Sequence, residues 1–437
     1  MSMSRRNFLG ATAAAVVVAG TMTKGNVFGA NEKIRVACVG LNGRGKSHIE
    51  AFSSNPGSEV VALCDVDSTV LERRANDFAK VKGKKPRLAK DVRVLLARDD
   101  IDAISIATPN NSHTMIAIWA CQAGKDVYVE KPLSHDVWEG KQLAAAAEKY
   151  GRVVQHGTQS RSDGRWMRAI QLMHDGCIGE VHTARGLCYK NGNRGDIGFA
   201  KDTTPPKSLD WNLWQGPAEE RPYNPLYHPY TWHWFWHYGN GEIGNQGVHQ
   251  MDLAVWGINK GLPVKVYSSG GRYTYKDQGE TPNTNTACFT YADGTELIFD
   301  VRNRFTNSEG GAMVNGEFKE GARVGNLFYG SEGYYVEKVG FFDKDDKPMD
   351  VKGEEPPSDG AFGNFLKAVR SRKPEDNYAS AQVGHISCVH CHIANISYRL
   401  GRSLQFDPAT ETFVNDDEAN RLVRRVYRPG FEVPELA

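Results

Sequence analysis

The sequence has no charge excess to speak of: 53 lysines and arginines stand against 52 aspartates and glutamates in 437 residues. Without an excess, the electrostatic footprint of a nucleic-acid binder or of a protein held on an anionic membrane is missing. The run Lys82-Gly83-Lys84-Lys85 is local and reads as a solvated loop. Long apolar runs are also missing. Past residue 30, no stretch reaches the ~20 residues that span a bilayer, which excludes a stable membrane span in the body of the protein. There are no internal repeats or low-complexity tracts, so solenoid and disordered classes are set aside. Cysteine is sparse, with eight at 38, 64, 121, 177, 188, 288, 388 and 391. Cys38 and Cys64 fall inside apolar strand-like runs, where cysteine acts as a small hydrophobe. Core thiols are expected, not a disulfide framework.

What is present begins with an unusual start. Ser4-Arg5-Arg6-Asn7-Phe8-Leu9-Gly10 precedes an apolar stretch from Ala11 to Gly20, and small residues follow near Val27 to Ala30. A charged start, short apolar centre and small-residue end describe a removable signal peptide over residues 1–30. Its paired arginines resemble the twin-arginine signal, which implies the twin-arginine export machinery as a partner and a periplasmic or otherwise exported location. That route carries folded proteins, which agrees with the lack of a disulfide framework.

The body divides in two. From residue 34, short apolar runs (Ile34 to Leu41, Val60 to Cys64, Ala103 to Thr108, Val127 to Val129, Arg152 to Gln155) alternate with helical stretches. This pattern predicts an α/β domain at 31–158 with a doubly wound parallel sheet of the Rossmann type. Over 159–437 the texture changes. Longer strands at Glu180 to Tyr189, Val264 to Tyr273 and Asn285 to Arg302, the last turning at Asp293-Gly294, predict an α+β domain. Its sheet is expected to be large, mostly antiparallel and open on one face for substrate or a second subunit. Ile386, Val389, Ile393, Ile396 and Leu400 share one face of a late helix.

Gly40-Leu41-Asn42-Gly43-Arg44-Gly45 joins the first strand to the first helix. Glycine there lets backbone N–H groups approach a pyrophosphate at a helix N-terminus. The usual spacing would put glycines at 40, 42 and 45, but Asn42 takes the middle place and Gly43 follows. Asp65 ends the second strand twenty residues beyond Gly45, where a carboxylate reads ribose hydroxyls and repels a 2′-phosphate. NAD is expected over NADP. Ala107-Thr108-Pro109-Asn110-Asn111-Ser112-His113 follows the strand at 103, and Glu130-Lys131-Pro132-Leu133 follows the strand at 127.

Together these motifs resemble the glucose–fructose oxidoreductase, inositol dehydrogenase and rhizopine-catabolism family (Gfo/Idh/MocA) over nearly the whole mature chain, most strongly at 33–160. The resemblance implies hydride transfer to or from a hydroxyl or carbonyl of a sugar, glycoside or cyclitol, with a tightly bound nicotinamide cofactor, in a homo-oligomer. Gly40, Asn42, Gly43, Arg44, Gly45, Asp65, Thr108, Pro109, Asn110, His113, Glu130, Lys131 and Gln159 would hold the dinucleotide. Lys131 would bond the hydroxyl being oxidised or protonate the carbonyl being reduced. In Gly244-Asn245-Gln246-Gly247-Val248-His249 the segment resembles the family's aspartate and histidine four apart on a helix. His249 matches, while Asn245 replaces the aspartate; Asn can bond a hydroxyl but relays no proton. Catalysis therefore falls to Lys131 and His249. Asn245, His233, Trp236 and Arg161 are expected at the substrate. Five of the nine tryptophans lie between 211 and 236, and indole faces suit sugar rings as well as core packing.

Other readings stay open. An NAD-dependent glycoside hydrolase working through transient oxidation is one, although such relatives do not usually carry Glu-Lys-Pro. A non-catalytic, NAD-bound sugar sensor is another. Cys388-Val389-His390-Cys391-His392 has the spacing of covalent haem attachment but sits on the amphipathic late helix. His228, His233, His237 and His249 match no common zinc spacing, so no metal is expected.

Overall fold

The computed structural model describes residues 33–190, 195–304 and 306–437; the expected export signal lies outside the described residues. The chain opens as β1 (Ile34–Val39), α1 (Gly43–Ser54), β2 (Ser58–Cys64), α2 (Ser68–Lys82), β3 (Arg87–Ala89) and α3 (Val92–Leu96). It continues as β4 (Ala103–Ile106), α4 (Asn110–Gln122), β5 (Asp126–Glu130), α5 (Val137–Lys149) and β6 (Val154–Gly157). All six strands are parallel, in the order β3-β2-β1-β4-β5-β6. The order reverses between β1 and β4, and a doubly wound sheet opens its ligand crevice at that point, outside the carboxyl ends of the strands. β4 and β5 are buried at every residue because helices cover both faces, hence the apolar Ala103, Ile104, Ile106 and Val127 to Val129.

The second part adds α6 (Gly164–His174), β7 (Val181–Tyr189), α7 (Trp211–Gln215), α8 (Gly241–Asn245) and α9 (Gly247–Ile258). Next come β8 (Lys265–Gly271), β9 (Thr284–Thr290), β10 (Glu296–Arg302) and a small ribbon, β11 (Ala312–Val314) with β12 (Glu317–Lys319). The strands β13 (Val324–Gly330), β14 (Gly333–Val336) and β15 (Gly340–Asp343) precede α10 (Gly360–Ser371) and α11 (Ala381–Leu400). The chain ends through β16 (Leu404–Asp407), β17 (Thr412–Phe413) and α12 (Asp417–Asn420).

Nine of these strands form one sheet, β15-β14-β13-β7-β10-β9-β8-β16-β17, antiparallel throughout except for the β7–β10 pair. The strand period shows directly. Val266, Phe289, Leu297 and Ala184 lie in one cross-strand row and are buried on the side that carries α9 and α11. Tyr267, Cys288, Ile298 and Arg185 form the neighbouring row on the other side and stay partly or fully exposed. The β9–β10 turn is closed by Gly294 at φ 88° and by the Asp293 carboxylate accepting from the Thr295 N–H at 3.0 Å.

The two parts are interleaved. Phe365, Leu366 and Val369 of α10 join the same apolar cluster as Phe52, Leu63 and Tyr128 of the parallel sheet and its helices. The Phe362 ring stacks on Tyr128 at 4.7 Å between centroids.

Candidate active site

A cleft of ≈ 430 Å³ runs along the carboxyl ends of β1, β4 and β5. Its floor begins at the glycine turn. Gly40 has φ +78°, and a Cβ there would sit 2.7 Å from the Ala107 and Thr108 backbone. A Cβ on Gly45 would meet the Gly40 carbonyl oxygen at 1.8 Å, so these two glycines allow turn, helix and β4 to close up. Around Gly43 there is open space. α1 starts at this residue with no side-chain cap, leaving its first N–H groups for a ligand anion. Asn42, in the place of the usual glycine, lines the cleft and accepts from Arg73 at 2.8 Å.

Asp65 accepts from the Leu41 N–H at 2.8 Å and the Asp67 N–H at 2.9 Å, pinning the glycine turn to the end of β2. Burial raises its carboxyl to about 6 against the pull of those two donors, so it is mostly ionised at neutral pH. Above it the chain is strapped. The Ser68 N–H donates to the Ser208 carbonyl at 2.9 Å and the Asp210 N–H to the Val66 carbonyl at 3.0 Å. The excursion that follows brings Trp214, His228, Tyr230, Trp232 and His233 onto the cleft wall. A cleft with an uncapped helix terminus, a carboxylate and an aromatic roof fits a dinucleotide.

Several expected cofactor residues brace the cleft. His113 is buried, with Nδ1 2.8 Å from the Pro132 carbonyl and Nε2 2.8 Å from the Thr108 carbonyl. It ties the end of β4 to the Glu130-Lys131-Pro132 turn. Asn110 donates to Asn240 at 2.9 Å, and Pro109 precedes the first residue of α4. Glu130 is a buried hub: Arg44 Nε lies 2.7 Å, His48 Nε2 3.1 Å and Gln159 Nε2 3.3 Å from its Oε1. Burial works against ionisation there, but His48, Arg44 and Lys131 outweigh it and hold the carboxyl well below its ordinary value. His48 was not singled out in the sequence; lying within α1, it carries no motif of its own.

Lys131 reaches from the end of β5 to the other part of the chain. Its Nζ donates to the Asn245 carbonyl at 2.7 Å and to Asn245 Oδ1 at 3.2 Å. The helix expected to carry both Asn245 and His249 is interrupted at Gln246: α8 ends at Asn245, α9 begins at Gly247, and the Asn245 carbonyl at the break accepts from the lysine. His249 Nδ1 sits 3.2 Å from the Thr158 carbonyl, to which it donates, leaving Nε2 as an acceptor. Burial, then the Lys131 charge, lowers its imidazole to about 4, so the ring is neutral at pH 7. Lys131, Asn245, Gln246 and His249 all line the cleft.

Two expected substrate residues lie elsewhere. Arg161 does not line the cleft; its Nε pairs with the buried Asp252 at 2.9 Å, and its guanidinium lies over the Trp256 ring at 4.8 Å. An arginine beside a buried carboxylate is drawn into that pair. Trp236 lines a separate cavity, with its N–H bound to Glu280 at 2.8 Å, because the chain turns outward after Phe235. The haem-like run is also occupied otherwise. Cys388 Sγ accepts from the Leu133 N–H at 3.2 Å, His392 bonds Ser134 at 3.0 Å, and both cysteines are buried within α11. All eight cysteines are free, and no cluster of three metal-ligating side chains occurs among the described residues.

Known proteins give this geometry a lineage. The chain is 36% identical over 169 residues to a glycosyl hydrolase family 109 protein of Saccharopolyspora erythraea, covering 37% of this chain and 36% of that one. It is 32% identical over 157 residues to an alpha-N-acetylgalactosaminidase of Shewanella oneidensis, 34% of each. These alignments thus span about a third of either relative. The WlbA dehydrogenase of Bordetella pertussis, solved with NADH and UDP-GlcNAcA, has a similar fold: TM-score 0.62, 20% identity, 86% of this chain and 99% of that one. Residues 34–158 match the oxidoreductase family described by its NAD-binding Rossmann fold, and 178–433 match its C-terminal alpha/beta domain. The protein belongs to the Gfo/Idh/MocA oxidoreductase family, and its first domain is an NAD-binding Rossmann fold.

Proposed function

We propose that the protein oxidises or reduces a hydroxyl of a sugar, glycoside or cyclitol, using NAD in preference to NADP. The observation that carries this is the Lys131 ammonium, held 2.7 Å from the Asn245 carbonyl in the cleft that begins at the glycine turn. Bound NAD supplies the hydride acceptor. The chain supplies the rest: Lys131 would donate to a substrate oxygen, while neutral His249 offers Nε2 to take a hydroxyl proton. Asn245 fixes the lysine and has its Oδ1 beside the same position. His233, stacked on Trp232 at 3.6 Å between centroids, closes the far wall. The test is to incubate purified protein with a panel of sugars and cyclitols and follow reduction of its nicotinamide; no reduction by any of them would refute the proposal.

The relatives named as hydrolases favour a second reading, in which the same oxidation is transient and a glycosidic bond is broken. Release of the aglycone from aryl N-acetylgalactosaminides, without net NADH, would select it. Export ahead of residue 31, a periplasmic location and a homo-oligomer built on the exposed row of the nine-stranded sheet belong to the main proposal.

A further inference from the structure

A second cavity, of ≈ 550 Å³, lies outside the cleft and shares no residue with it. Its wall is assembled from the C-terminal segment after α12, the end of α11 and the chain around Trp236. Five arginines line it: Arg399, Arg421, Arg424, Arg425 and Arg428. Three carboxyls share the wall, fewer than the arginines. Glu219 is 76% exposed and lies 3.4 Å from His237, Glu220 acts on Arg428, and burial beside Glu139 pushes the Asp136 carboxyl upward toward its neutral form.

Arg428 is saturated by the Gly216 and Asn212 carbonyls and the Asn212 side chain. Arg425 gives Nη2 to Glu139 at 2.5 Å, while its buried Nε and Nη1 have no partner. Arg399 and Arg424 have neither ion pair nor hydrogen bond among the described residues. Each lies over an aromatic ring instead, Arg399 over Trp236 at 5.3 Å and Arg424 over Trp138 at 3.7 Å. A guanidinium held over a ring and bonded to no protein acceptor has its N–H donors available for a carboxylate or phosphate. Trp236 is partly exposed and adds a face on which a sugar ring can lie.

We propose that this cavity is a second ligand site that takes a small anionic sugar, a uronate or a sugar phosphate, with Arg399 and Arg424 binding the anion and Trp236 the ring. It adjoins the cleft through a side-chain bridge. Asn240, on the second cavity, donates to the His135 carbonyl at 2.8 Å and accepts from Asn110, which lines the cleft, at 2.9 Å.

The experiment is calorimetric titration of the purified full-length protein with glucuronate, glucose 6-phosphate and neutral glucose. It is repeated with the double variant Arg399→Gln, Arg424→Gln, whose NAD content and Tm are checked in parallel. The expected result is that at least one anion binds tenfold or more tighter than glucose, and that the double variant loses that advantage with NAD content and Tm unchanged. Which anion wins separates a carboxylate ligand from a phosphate one. Glucose binding as tightly as both anions overturns the proposal, as does a double variant that binds them like the parent.

Discussion

Lys131 and Asn245 meet across the boundary between the two parts of the chain: one ammonium bonds both the backbone carbonyl and the side-chain oxygen of one residue, at 2.7 and 3.2 Å. The lysine belongs to the parallel sheet and the asparagine to α8, so this corner of the cleft exists only while both are folded together. Lys131→Ala is expected to keep bound NAD and lose about 10²- to 10⁴-fold in kcat, the span of a general acid–base group. Steady-state rates across pH, with NAD content measured after denaturation, check this. A near-normal kcat would remove Lys131 from the chemistry.

Asn245→Asp leaves the backbone carbonyl in place and sets a carboxylate where Oδ1 now lies. Turnover is expected to survive within roughly tenfold, with a displaced pH optimum, since one pKa unit corresponds to about 1.4 kcal/mol of differential interaction. His249→Ala, by contrast, removes the acceptor nitrogen and is expected to lower kcat strongly. A silent His249→Ala would place the proton acceptor elsewhere.

Asp65→Asn keeps one acceptor for the two backbone donors it now serves and removes the charge. NAD is expected to bind more weakly and discrimination against NADP to relax, read as the ratio of the two Kd values. An unchanged ratio would mean that the ribose is distinguished by other groups.

The strap from Ser208 to Asp210 over Val66 to Ser68 predicts slow cofactor release. Purified protein is expected to retain NAD through dialysis and to turn over a sugar pair with none added, one molecule reducing the cofactor and another reoxidising it. Protein active only with free NAD would contradict this.

His390 is fully buried, with Nδ1 2.8 Å from the Ile386 carbonyl and Nε2 2.9 Å from the Tyr291 hydroxyl. Burial lowers its imidazole to about 4, against the pull of Ile386. Its folded value lies below the unfolded ~6.5, so acid favours the unfolded chain. The histidine's contribution is therefore present above pH 6.5 and is lost as pH falls toward 4, by about 2 kcal/mol at pH 5. Urea unfolding at pH 7 and 5 is expected to show that loss in the parent beyond any in His390→Gln. Equal losses in both would show that His390 does not carry it.

Five of the six parallel strands were legible because each is a short apolar run between helical stretches. β3 escaped because Arg87-Leu88-Ala89 is too short and polar to show a period. The hairpin of β9 and β10 announced itself through Asp293-Gly294. The strands β14 and β15 at one end of the sheet did not, since Tyr334-Tyr335 and Phe341-Phe342 put aromatic rings on both faces and erase the alternation. In the site, Lys131, Asn245 and His249 were found through motifs and the structure brings them into one cleft. Arg161 and Trp236 were misplaced because their directions depend on tertiary partners, Asp252 and Arg399, far off in sequence. Trp214 and Tyr230 reach the cleft from an aromatic-rich stretch whose composition was visible but whose path was not.

The sharing of α10 between the two parts has a consequence for the order in which the protein can be made. Phe52, Leu63 and Tyr128 are covered by Phe365, Leu366 and Val369, which leave the ribosome more than two hundred residues later. A nascent chain holding only the parallel sheet would display those side chains to solvent. It would have no strap over Val66 to Ser68 and no Asn245 to receive Lys131. The strap, Asn245 and α10 all follow the parallel sheet in the chain, so the complete cleft is expected only once α10 has been made. The Rossmann region cut out at residue 158 would make a poor stand-alone NAD binder, however complete its six strands.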